Sequence, residues 1–204
     1  VKGRGKSVVP FIKPWGKDAV AERLDIAREA GCDICGMDVD AAGLTILRTL
    51  AAPVAVKTPD ELAEIIDLVH QRGMKFIVKG IMTVDEAEDA VDAGTDAVLV
   101  SNHGGRVLDC TPGTAEVLPE IAEAVGDRTL VMVDGGIRSG TDVLKVLALG
   151  AKAALVCRPV AVMLHGDEEN GVPAYFAGLR EELAQAMRLT GCKDLASIDA
   201  NVVC

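Results

Sequence analysis

Short apolar runs alternate with longer amphipathic stretches along this 204-residue chain. The runs "VVPFIKP", "CDICGMD", "MKFIVKG", "DAVLVSN", "TLVMVDGG" and "KAALVCRP" lack the apolar–polar alternation of a half-exposed strand. Near-continuous runs of this kind mark parallel strands covered on both faces. The stretches between them carry helix signals. "TPDELAEIIDLVHQRG" opens on Thr58 and Pro59, with Glu61 completing a capping box. "TVDEAEDAVDAG" repeats the Thr-x-x-Glu start and closes on Gly94. "DAVAERLDIAREAG", "TAEVLPEIAEAVG", "GTDVLKVLALG" and "PAYFAGLREELAQAMRLTG" read as further helices. The pattern predicts about six strands, each followed by a helix.

Such a chain folds as a doubly wound sheet or as a (β/α)₈ barrel. The polar residues favour the barrel. Asp38, Lys79, Ser101, Asp134 and Arg158 all fall at or just past C-terminal strand ends. Strand ends converging on one face are the barrel's arrangement. A full barrel takes about 250 residues and eight strands. The expectation is therefore an α/β TIM barrel with about six of its eight βα units, a single domain over residues 1–204 that lacks its N-terminal strands.

Composition narrows the function. The formal charge of −10 argues against a nucleic-acid partner. No apolar run reaches membrane-spanning length, and the first residues do not read as a secretory signal. Six cysteines are scattered through apolar surroundings. The Cys32-x-x-Cys35 pair has no second pair or histidine cluster to complete a zinc site, so it reads as two small strand residues. No metal is expected. The compartment implied is a reducing cytoplasm.

Three places carry candidate chemistry. "VSNHGGR" ends a buried strand in His103, two glycines and Arg106. In "VDGGIRSG", Asp134 closes a strand, Gly135 and Gly136 allow close backbone approach, and Arg138 follows. Arg158 in "VCRP" adds a second arginine one strand later, and together these look like a phosphate cradle. Lys79, at the end of an apolar strand, needs a partner or a ligand to justify its charge there.

At this spacing "SNHGGR", "DGGIR" and "CRP" strongly resemble the FMN-dependent 2-hydroxy acid dehydrogenase and oxidase family, which includes glycolate and lactate oxidases. The resemblance is dense from about residue 75 to 160. It implies a (β/α)₈ barrel with FMN at the C-terminal face and oxidation of a small 2-hydroxy acid to the 2-oxo acid. It implies His103 as the base, Arg106 as the partner of the substrate carboxylate, and Asp38 as the acid that pairs with the histidine and favours its protonated form. Lys79 would lie near the flavin N1 and C2 carbonyl, Ser101 beside the pyrimidine side, and Asp134 on ribityl hydroxyls. Gly135, Gly136, Arg138 and Arg158 would hold the phosphate, with Cys157 against it.

The chain also departs from the family. Lys13, Pro14 and Trp15 stand where the family has Gln-x-Tyr, and Gly36 replaces a threonine. Arg48 is the nearest residue to a second substrate arginine, and Cys157 replaces a glycine before Arg158. Two other readings stand beside the main one: an FMN barrel resembling type 2 isopentenyl diphosphate isomerase, against which "SNHGGR" argues, and a non-catalytic flavin- or phosphate-binding half-barrel. A homo-oligomer, or pairing with the missing N-terminal segment, would cover the open barrel edges.

Overall fold

Six parallel strands follow one another across one sheet in chain order: β1 (Phe11–Ile12), β2 (Ile34–Asp38), β3 (Lys75–Ile81), β4 (Ala97–Val100), β5 (Leu130–Val133) and β6 (Ala153–Ala154). A doubly wound sheet reverses its order at a switch point. This sheet never reverses, which is the order of a barrel sector. The computed structural model describes residues 7–50 and 53–203. Among these, β1 pairs only with β2 and β6 only with β5, so the sector stays open.

The helices are α1 (Lys17–Glu29), α2 (Thr45–Thr49), α3 (Pro59–His70), α4 (Val84–Asp92), α5 (Thr114–Val125), α6 (Gly140–Ala148), α7 (Arg158–Gly166) and α8 (Gly171–Thr190). Both predicted capping boxes form. Thr58 Oγ1 accepts from the Glu61 N–H at 3.2 Å, and the Thr58 N–H donates to Glu61 Oε2 at 2.9 Å. Thr83 and Glu86 make the same reciprocal pair at 3.2 Å each way.

The sequence reading misses three details. The edge strands shrink to two residues each, because each has a neighbour on one side only and Pro10 lacks the N–H a longer β1 would use. Residues 158–166 form α7, although Arg158 and Pro159 read as a strand end and the rest carried no assignment; Pro159 in the first turn was the signal. A 3₁₀ turn (Val39–Gly43) and α2 occupy the segment after β2.

The main core lies between strands and helices, around Leu24, Ile66, Phe76, Val98, Leu118 and Ile121. Each is essentially fully buried, worth about 1.5–3 kcal/mol per side chain of this size. Cys35 belongs to this core, and Cys32 is buried as well; both thiols are free. Burial, with a smaller contribution from Cys32, pushes the Cys35 thiol up to about 12, so this is packing rather than redox chemistry. A smaller apolar layer fills the concave face: Ile77, Ala97 and Leu99, with Phe11, Met132 and Leu155 against them.

Helix α8 reaches the loop between β5 and α6 at two backbone points. The Tyr175 hydroxyl donates to the Arg138 carbonyl at 2.8 Å, and the Gly140 N–H donates to Glu182 Oε2 at 2.8 Å.

Candidate active site

Toward the C-terminal ends of the strands the concave face turns from apolar to ionic. Register places Asp38 beside Lys79, so both face the same side. Lys13, just past β1, ion-pairs with Asp38 Oδ2. Asp38 Oδ1 lies 3.6 Å from Lys79 Nζ, and that ammonium lies 3.6 Å from Asp134 Oδ2. The charges thus alternate in sign around the mouth. Lys79 also donates to the Ser101 hydroxyl at 3.0 Å. With side-chain exposures of 7% for Asp38 and 12% for Lys79, this mutual neutralisation is what makes burial of the charges tolerable.

A cavity of about 570 Å³ opens above this layer. Asp38, Lys79, His103, Arg106, Asp134, Gly135, Gly136, Arg138, Cys157 and Arg158 all line it, so the structure gathers nearly every residue singled out in the sequence. Ser101 is the exception. It is fully buried beneath the cavity, with its hydroxyl accepting from Lys79 and from the His103 N–H at 3.2 Å. It supports two lining residues and does not line the cavity itself. The side chain of Arg48 lies outside the described residues.

The loop after β4 turns sharply because three successive residues are left-handed: His103 (φ 55°), Gly104 (68°) and Gly105 (76°). A non-glycine residue held there costs about 1–3 kcal/mol and is found mainly where function demands it. A Cβ at Gly104 would also fall 3.0 Å from Nη2 of Arg158, so the guanidinium packs directly against this turn. Arg106 is exposed on the cavity wall and makes no ion pair or hydrogen bond among the described residues.

The expected acid partner of His103 is corrected. His103 Nδ1 lies 3.2 and 3.1 Å from the two carboxylate oxygens of Asp40, not of Asp38. The reason is competition: the two lysines occupy Asp38. A carboxylate only accepts, so the Nδ1 position carries the proton and Nε2 is left for other work. Asp40 had a signal in the sequence, two residues after Asp38 in "GMDVD", but nothing there told which acid the lysines would take. Asp38, Asp40 and His103 offer three potential metal-ligand atoms within 4.8 Å of one another. Two ammonium groups already hold Asp38, while Asp40 pairs with the His103 ring.

Arg138 and Arg158 are exposed on the cavity wall, the Arg158 guanidinium reaching the Gly104 turn, and Gly135 and Gly136 are left-handed just after Asp134. Arg158 is the first residue of α7, so the positive end of that helix adds to the guanidinium charge. Asp134 Oδ1 is buried without a hydrogen-bond partner. Such an oxygen costs about 1–3 kcal/mol unless a ligand donates to it. Four cations and two carboxylates line the cavity of a protein whose net charge is −10. The cavity therefore suits an elongated ligand with hydroxyls near Asp134 and a multivalent anion between the arginines. That donor set fits the ribityl phosphate of a flavin mononucleotide.

The profile of the FMN-dependent dehydrogenase family matches residues 54–204. The 2-hydroxyacid oxidase 1 of Mus musculus is 50% identical over 130 residues, covering 64% of this chain and 35% of its own length. An L-lactate dehydrogenase of Caulobacter vibrioides is 46% identical over 128 residues, covering 63% and 33%. The structure of a mandelate oxidase variant with (S)-mandelic acid superimposes with a TM-score of 0.84 at 33% identity, over 95% of this chain and 62% of that one. The chain spans about a third of the length of these curated relatives. The strand order, the cavity and the profile agree, and the chain is a member of the FMN-dependent dehydrogenase family.

Proposed function

We propose that this chain carries the flavin and substrate site of an enzyme that oxidises a small 2-hydroxy acid to the 2-oxo acid. The observation that carries the reading is the placement of His103 and Arg106 on one left-handed loop. That loop borders a cavity also lined by Arg138, Arg158 and Asp134, whose Oδ1 has no hydrogen-bond partner.

Arg138 and Arg158 would hold the FMN phosphate with the backbone at Gly135 and Gly136, beside Cys157. Asp134 Oδ1 would accept from a ribityl hydroxyl. Lys79 would supply positive charge beside the flavin ring, and Ser101 would act through Lys79. Bound FMN supplies the two-electron acceptor that no side chain here offers. Arg106 receives the substrate carboxylate, for which a planar fork is suited. His103 accepts the hydroxyl proton at Nε2 while Asp40 holds Nδ1. Lys79, already neutralised by two carboxylates, offers its ammonium to negative charge that grows beside it.

The test is direct. Purified protein reconstituted with FMN is mixed without oxygen with lactate, glycolate or mandelate. The long-wavelength flavin band bleaches with at least one of them. No bleaching with any 2-hydroxy acid sinks the substrate assignment. A protein that stays colourless favours the non-catalytic half-barrel, and turnover of a prenyl diphosphate favours the isomerase reading.

The same reading treats residues 1–204 as one domain of a cytoplasmic protein that forms a homo-oligomer or pairs with an N-terminal barrel segment. Free thiols at Cys32, Cys35, Cys110, Cys157 and Cys192 support the reducing compartment. Open sheet edges and exposed Val162, Leu164 and Phe176 support the association. No described helix is long and apolar enough to cross a membrane. Gel filtration that returns a monomer with bound flavin removes the oligomer from this proposal.

A further inference from the structure

We infer that the work of one acid has been divided between two in this chain: Asp40 is the positioning residue for His103, and Lys13 keeps Asp38 out of that role. The inference rests on the reading of His103 as the base.

Both carboxylates are within reach of the ring. The candidate ligand atoms of Asp38, Asp40 and His103 all lie within 4.8 Å of one another. Proximity alone does not choose between the two acids, but their other partners do. Asp38 has one oxygen on the Lys13 ammonium and the other 3.6 Å from Lys79 Nζ. Turning Asp38 to the imidazole would strip charge compensation from two lysines to make one hydrogen bond. Asp40 has no cation beside it among the described residues, and both of its oxygens stand 3.1–3.2 Å from Nδ1.

The backbone is also shaped for Asp40. Gly80 is left-handed (φ 103°) at the irregularity in the β3–β4 register. A Cβ at Gly80 would lie 2.6 Å from Asp40 Cβ and Cγ and 2.8 Å from Oδ1. No real side chain tolerates such distances, so the glycine forms the seat of the Asp40 carboxylate. Lys13 is the switch in this arrangement. Without its ammonium, one Asp38 oxygen is released within reach of the ring.

The state of the ring reports on this without any turnover. The chain has only three histidines, His70, His103 and His165, so ¹⁵N-histidine labelling with H70Q and H165Q variants assigns the His103 signals in the FMN-loaded protein. With the ring neutral, the wild type shows the proton on Nδ1. D40A moves it to Nε2, the form favoured by free histidine, whereas D38A leaves it on Nδ1. D40N keeps an accepting oxygen and so keeps the Nδ1 proton. It removes the charge, and kcat falls about 10–100-fold, the loss usual when an orienting partner is weakened, with KM changed less. Adding K13M to D40A returns part of the Nδ1–H form as Asp38 takes over. A second route perturbs Asp40 without replacing it: G80A disturbs the carboxylate's seat and gives the D40A tautomer pattern.

The inference is overturned if D38A, rather than D40A, moves the proton, or if neither does. It is overturned equally if K13M has no effect in the D40A background. A protein that passes the tautomer test but bleaches with no 2-hydroxy acid retains the division of the two acids and loses the functional reading. The two failures are therefore separable.

Discussion

The two sides of the cavity are built by different means. On the β4–β5 side the backbone does the placing. Left-handed residues at 103–105 and 135–136 turn the chain back over the mouth, and the side chains follow from that path. On the β1–β2 side the backbone is ordinary strand. There the arrangement comes from which side chain meets which across neighbouring strands, as with Lys13 and Asp38 or Phe11 and Gly36. Backbone-determined roles are local, so a short motif carries them. Roles set by cross-strand pairing depend on residues that are remote in sequence and change when a partner changes.

The largest test falls on the backbone-determined side. His103→Ala is expected to abolish turnover, a loss of about 10²–10⁴-fold in kcat, while FMN stays bound, as fluorescence quenching on titration will show. Loss of FMN instead would mean that the loop serves the cofactor rather than the proton. Next in size is Arg106→Lys. A point charge cannot reproduce a bidentate fork, and the charge-assisted hydrogen bond lost with it is worth about 1.5–3 kcal/mol. The expected signature is a raised KM for the hydroxy acid with unchanged flavin affinity.

The cross-strand side is tested by restoring the family's threonine. A Cβ at Gly36 would fall 2.5 Å from the Phe11 ring and 2.9 Å from the Ile77 carbonyl oxygen. Gly36→Thr is therefore expected to lower stability by about 1–3 kcal/mol, the usual cost of overpacking, read as a lower urea midpoint. Phe11→Ala in the same chain should recover part of it. If the single change costs nothing, the two positions do not constrain each other and the contrast between the two sides weakens.

The smallest effect lies below both sides, where the strands begin. Burial opposes ionisation of Asp96, but hydrogen bonds from Lys75, His70 and the Phe76 N–H outweigh it and hold its carboxyl below the usual range. A lowered folded-state value means that the stabilisation is present above the unfolded carboxylate range and is lost as pH falls through the folded one. The urea midpoint of the wild type should drop on acidification more than that of Asp96→Asn. Equal drops would show that the pairing adds nothing.

This division explains what the sequence revealed. Six βα units, both capping boxes and ten residues of the cavity wall could be read from apolar runs, Thr-x-x-Glu starts and glycine-flanked cations. The choice between Asp38 and Asp40 could not. It is decided by Lys13, a residue 25 positions earlier that reaches Asp38 only because β1 lies beside β2. Ser101 stood out in the sequence as a polar strand end, but its burial against Lys79 depends on the register of β3 and β4. The helix at 158–166 went unread because the strand pattern ran into its first turn.

Tyr175 and Glu182 hold the loop after β5 from outside, one at the Arg138 carbonyl and one at the Gly140 amide. Neither residue belongs to a recognisable motif. Remove helix α8 and every letter of "DGGIR" would still be present, yet two of the hydrogen bonds that fix the loop's shape would be gone. Transplanting the pentapeptide to another barrel would not carry the anion grip with it. What is inherited as a five-residue signature is, physically, shared with a helix some forty residues further along the chain.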